Sequence, residues 1–116
     1  MRKFILILFA VMSISAFAAD TTVKGYLVDL ACATSDEGKK ANFGAEHTKD
    51  CLQMPDCVQG GYGILTPDKK IVRFDNAGND QAKKFIASMK KEKDIKVTVT
   101  GSVTGSSMTV SKIELQ

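Results

Sequence analysis

The chain has 116 residues, 44% of them apolar and 25% charged, with 16 basic against 13 acidic side chains and a formal net charge of +3. Such a composition describes one globular domain and excludes a disordered chain, a collagen-like repeat and a multidomain assembly. Part of the positive charge belongs to Arg2 and Lys3, in the first segment to be read.

Arg2 and Lys3 form a basic n-region, Phe4–Val11 an apolar h-region, and Ala16-Phe17-Ala18 a small-x-small cleavage site. This is the three-part pattern of a secretory signal peptide. Residues 1–18 are expected to be removed and residues 19–116 to work as a periplasmic or secreted protein. The apolar stretch is interrupted by Ser13 and Ser15 and falls short of the ~20 residues that span a bilayer, so an integral membrane protein is not expected. Leu30-Ala31-Cys32 is no lipobox, because it lies far beyond the h-region and follows Asp29 where an aliphatic residue is needed. Loss of Arg2 and Lys3 leaves 14 basic against 13 acidic side chains, which removes the electrostatic argument for a nucleic-acid partner. The 98 residues that remain form one small domain for which an additional staple would be useful.

Val23–Leu30 is rich in β-branched, aromatic and aliphatic residues and predicts a first strand. About 30 residues follow that hold all three cysteines and the single histidine. Gly61–Thr66 and Ile71–Asp75 predict a hairpin turned by Pro67-Asp68-Lys69-Lys70. Asn79 or Asp80 is suited to cap a helix running to about Lys91, in which Ala82, Phe85, Ile86 and Met89 make one apolar stripe. Lys83, Lys84, Lys90 and Lys91 flank the stripe as a solvated face. Ile95, Val97 and Val99 alternate with polar residues in a fourth strand, and Met108–Leu115 forms a fifth. Met108 and Val110 share one parity and Ile113 and Leu115 the other, which requires a bulge or a change of face near Ser111.

The order strand, strand, strand, helix, strand, strand is that of the OB-fold. The expected architecture is mainly β: an OB-fold-like five-stranded barrel with a Cys/His insert, about residues 31–60, between its first and second strands. A connection of that length needs structure of its own. An OB barrel also invites a nucleic-acid reading through Tyr26, Tyr62, Arg73 and Phe74, but export and near-neutral charge oppose it. Gly60-Gly61-Tyr62-Gly63 leads into a strand, not a helix, so it reads as tight backbone packing rather than a phosphate loop.

Cys32, His47, Cys51 and Cys57 carry the chemistry of the insert. A short helix over Ala45–Gln53, ended by Pro55, would place His47 and Cys51 on one face at i and i+4. Three cysteines and a histidine complete a tetrahedral set for Zn, and the sulfurs also suit Cu(I), with Met54 nearby. An oxidising compartment favours instead a disulfide from Cys32 to Cys51 or Cys57, which leaves one cysteine over. A thiol-dependent enzyme built on His47 and Cys51 is the third reading.

Gly25-Tyr26-Leu27-Val28-Asp29-x-x-Cys32, His47-x3-Cys51-x5-Cys57-x2-Gly60 and Val97-Thr98-Val99-Thr100-Gly101 together resemble a group of small, largely uncharacterised bacterial secreted proteins with an OB-like barrel. The resemblance implies the fold and export, and no activity. The expected function is an exported, non-enzymatic binding module whose Cys32, His47, Cys51 and Cys57 take Zn or Cu. The alternatives are a disulfide-stapled structural or ligand-binding domain and a thiol-dependent enzyme. The expected partner is a metal, a small ligand or a protein.

Overall fold

A computed structural model describes residues 20–116, so the signal-peptide reading of residues 1–18 lies outside the described residues. Five strands, β1 (Thr21–Asp29), β2 (Tyr62–Leu65), β3 (Ile71–Phe74), β4 (Lys96–Thr104) and β5 (Ser107–Leu115), form the sheet. β1 pairs antiparallel with both β2 and β4, β2 with β3, and β4 with β5, while β3 and β5 run parallel. These pairings close the sheet in the order β1-β2-β3-β5-β4. Along β4, Val97, Val99 and Gly101 are buried and Lys96 is exposed, the alternation of a strand with one face on the core. The bulge expected near Ser111 is present: Thr100 pairs with Lys112 and Gly101 with Val110, so Ser111 is the extra residue. It lets Met108 and Val110 face the core and Ile113 still pack against it from the opposite parity.

The core gathers Leu27, Ile64, Phe74, Val97, Val99, Met108 and Val110 from the strands and Ala82 and Ile86 from a helix, α5 (Asn76–Ser88), that covers one end. The predicted stripe is in place, with Phe85 and Met89 packed on the same cluster. The helix begins and ends about one turn earlier than predicted. Asp75 is its N-cap, accepting the Gly78 N–H at 2.9 Å. A Cβ at Gly78 would stand 2.7 Å from Val110 Cγ2, so the first helical turn lies directly on β5. That contact demands glycine, a poor helix former, and the glycine conceals the true start of the helix in the sequence.

The insert between β1 and β2 folds into α1 (Leu30–Ala33), a 3-10 turn (Asp36–Lys39), α2 (Phe43–Glu46), α3 (Lys49–Leu52) and α4 (Pro55–Gly60). The single helix expected over 45–53 is divided. His47 leaves α2 with extended dihedrals (φ −66°, ψ 131°), and the Thr48 hydroxyl caps α3 by accepting the Cys51 N–H at 3.2 Å. His47 and Cys51 therefore do not share one helical face. Pro55 begins α4 rather than ending a helix, at the first position, where its missing N–H has no intrahelical acceptor to lose. Gly61 then turns the chain into β2 at φ +87°, a conformation that L side chains rarely adopt.

Backbone bonds fasten the insert to the segment before β4: the Lys49 N–H donates to Glu92 O at 2.7 Å and the Asp94 N–H to Ala45 O at 3.0 Å. Leu52 of α3 enters the main core, and the buried Tyr62 hydroxyl donates to its carbonyl at 2.6 Å. Among the described residues no helix is long and apolar enough to cross a membrane.

Candidate metal centre

Asp29 is the last residue of β1, paired across the sheet with Tyr62, and its side chain has no exposure. Burying a carboxylate is costly unless its oxygens are hydrogen-bonded, and each oxygen has a partner. Oδ2 accepts the Cys32 N–H at 2.8 Å, which makes Asp29 the N-cap of α1. Oδ1 pairs with Nε2 of His47. The His47 ring is itself buried against Phe43, with ring centroids 4.7 Å apart, and the His47 backbone N–H donates to Phe43 O at 2.9 Å. Strand end, capping turn and α2 terminus thus fix one carboxylate from three directions.

Two thiols complete the group. Cys32 comes from α1 and is half-buried; Cys57 comes from α4 and is 4% exposed. α1 and α4 lie side by side with Gly60 facing Ala31, where an added Cβ would be at ordinary contact distance, 3.4 Å. One carboxylate oxygen of Asp29, Cys32 Sγ and Cys57 Sγ all lie within 4.8 Å of one another. All three cysteines of the chain are free thiols.

The electrostatics follow from that crowding. Burial acts to raise the Asp29 carboxyl, but hydrogen bonds from His47, the Cys32 N–H and the Cys57 thiol, with the His47 charge, bring it down to about 2. Burial first, then the hydrogen bond to Asp29 and its negative charge, push the Cys57 thiol up to about 12. Burial and the Asp29 charge raise the Cys32 thiol as well. Tyr62 is pushed up to about 12 by burial and by the same carboxylate. At neutral pH the group is therefore a carboxylate beside two protonated thiols.

Outside this group, Cys32, His47 and Cys51 line a cleft of about 330 Å³ together with Phe43, Glu37, Lys40 and Glu46. Of the four residues singled out by the sequence, Cys32 and Cys57 converge, His47 meets the group through Asp29, and Cys51 stands in the cleft outside it. Asp29 is the member of this group that composition and spacing did not single out. Its signal was the capping pattern Asp29-x-x-Cys32 directly after a strand. Tyr62 and Phe74, considered above as stacking residues, are buried in the core.

Two sulfurs and a carboxylate oxygen are chemically suited to a borderline or soft cation. Around a tetrahedral ion with metal–sulfur bonds of ~2.3 Å the sulfurs stand ~3.8 Å apart, so the group needs only a small contraction. His47, bonded to the other oxygen of Asp29, would orient the ligating carboxylate from behind. Three protein donors leave one tetrahedral position open. Comparison of the chain with family profiles, with curated proteins and with solved structures gives no match.

Proposed function

We propose that the chain is an exported, OB-fold-like binding module whose Asp29, Cys32 and Cys57 hold one thiophilic transition-metal ion, Zn(II) or Cu(I), with His47 positioning Asp29. The carrying observation is the convergence of a fully buried carboxylate and two thiols within 4.8 Å. The closed strand order with a helix between β3 and β4 supports the OB-fold reading. The resemblance to small bacterial secreted proteins supports export.

Binding exchanges two thiol protons for the cation, whose charge offsets the repulsion of a carboxylate and two thiolates in a buried space. Nothing in this chemistry requires turnover, and the module is read as a binder or carrier of the ion.

Reduced protein titrated anaerobically with Zn(II) or Cu(I) is expected to take one ion per chain and to protect two thiols from alkylation. Asp29→Asn, Cys32→Ser and Cys57→Ser should each lose that ion, whereas Cys51→Ser should keep it. Three thiols that remain equally reactive with and without metal would overturn the reading.

A further inference from the structure

The two sulfurs of the centre differ in a way that holding a metal does not use. Cys32 Sγ belongs to a half-buried residue that lines the 330 Å³ cleft, whereas Cys57 is almost fully enclosed behind it and does not line that cleft. The cleft thus offers an approach to Cys32 that it does not offer to Cys57. We infer that Cys32 and Cys57 act as a dithiol that exchanges with an external low-molecular-weight disulfide admitted by the cleft, Cys32 attacking and Cys57 resolving.

Cys32, after its thiol gives up its proton to solvent, attacks one sulfur of the external disulfide, RSSR. The RS–SR bond breaks, a Cys32–S–S–R bond forms and one RS⁻ leaves. The Cys57 thiolate then attacks the Cys32 sulfur, forming the Cys32–Cys57 bond and expelling the second RS⁻. Two electrons pass from the protein dithiol to the external disulfide, and the two thiol protons end on the two RSH products. The two sulfurs start within 4.8 Å of one another, against the ~2.05 Å of the disulfide to be formed. The helices that carry them, α1 and α4, lie near one another where Gly60 faces Ala31, a Cβ added at Gly60 falling 3.4 Å from Ala31 Cβ.

The cleft suits such a substrate. Phe43 gives it an apolar wall, and His47, Glu37, Lys40 and Glu46 line it with polar groups. Its volume lies at the small end of the range for small-molecule sites. Cys51 opens onto the same cleft and is the competing second sulfur, so the identity of the resolving thiol is the point to be tested. The exchange uses sulfurs assigned above to the metal but requires no ion, and it stands or falls in metal-free protein.

The reduced full-length chain, kept with a chelator, is exposed to oxidised glutathione, quenched in acid, alkylated and mapped by mass spectrometry. The expected product is a Cys32–Cys57 disulfide; Cys57→Ser should accumulate a glutathione adduct on Cys32, and Cys32→Ser should modify Cys57 at least tenfold more slowly. In unaltered reduced protein, which needs no variant to fold, iodoacetamide should label Cys32 at least tenfold faster than Cys57. A disulfide that joins Cys51, first modification at Cys57, or an unreactive Cys32 would overturn the inference. Metal titration of the reduced protein is a separate measurement, so failure of one reading is distinguishable from failure of the other.

Discussion

Asp29 is the residue on which the centre turns, because one carboxylate caps a helix, anchors a histidine and adds to the burial that raises two thiols. Removing His47 leaves Oδ1 of a buried carboxylate without its hydrogen-bond partner. His47→Ala is expected to destabilise the metal-free protein by about 3 kcal/mol, read as a lower denaturant midpoint with unchanged slope. Because the folded carboxyl titrates at about 2, below its ordinary 3.8, the unfolded chain binds that proton more readily than the folded one. The contribution of Asp29 is therefore complete above about pH 4 and is lost as the pH falls through about 2. It is on the order of 2 kcal/mol, and Asp29→Asn should flatten that acid limb of the stability profile. The thiols behave oppositely toward metal. Both are raised, Cys57 to about 12, so each must lose a proton on binding, and apparent metal affinity should rise up to ~100-fold per pH unit between pH 6 and 8. Composition, not the His47-x3-Cys51 spacing, marks Cys32 and Cys57 as chemistry, because cysteines are few. It cannot single out Asp29, since a buried carboxylate has the same sequence appearance as an exposed one.

Among the elements, the predictable ones are those with a periodic pattern. The β2–β3 hairpin, the alternation of β4 and the stripe of α5 are written in residues that recur at fixed intervals, and each is found within a few residues of its expected bounds. The insert has no such period. Its helices run four to six residues, too short for a stripe, and their limits are set by single side chains. Thr48, placed between His47 and Cys51, restarts the chain as a new helix where a continuous turn would otherwise carry both residues on one face. The same logic makes caps the sensitive points. Asp75 accepts the Gly78 N–H and lies 3.3 Å from the Val110 N–H, tying α5 to β5. Asp75→Ala should cost about 1 kcal/mol in thermal or denaturant unfolding while leaving metal stoichiometry unchanged, because the cap is on elements that contribute no ligand.

For the whole molecule, the bulge at Ser111 was legible because apolar residues that switch parity inside one strand can all face the core only where an extra residue is inserted. That insertion is part of how the strands close on themselves. What joins the insert to the segment before β4 was not legible: backbone bonds from Lys49 to Glu92 and from Asp94 to Ala45 depend on no side-chain type. The ring of strands is uneven. β4 pairs along its length with β5 and with β1, but β3 and β5 meet only at Arg73↔Ser107 and Phe74↔Met108 among the paired residues. A closed sheet opens first at its shortest seam, and local opening occurs where the fewest bonds must break together. Amide exchange should accordingly be faster for Arg73 and its neighbours along that seam than for Leu27 and Val28 in β1. Since Asp29 continues β1, beyond β2 from the seam, the sheet can breathe there while the strand that carries the carboxylate stays shut. The centre is thereby insulated from the commonest fluctuation of its own scaffold.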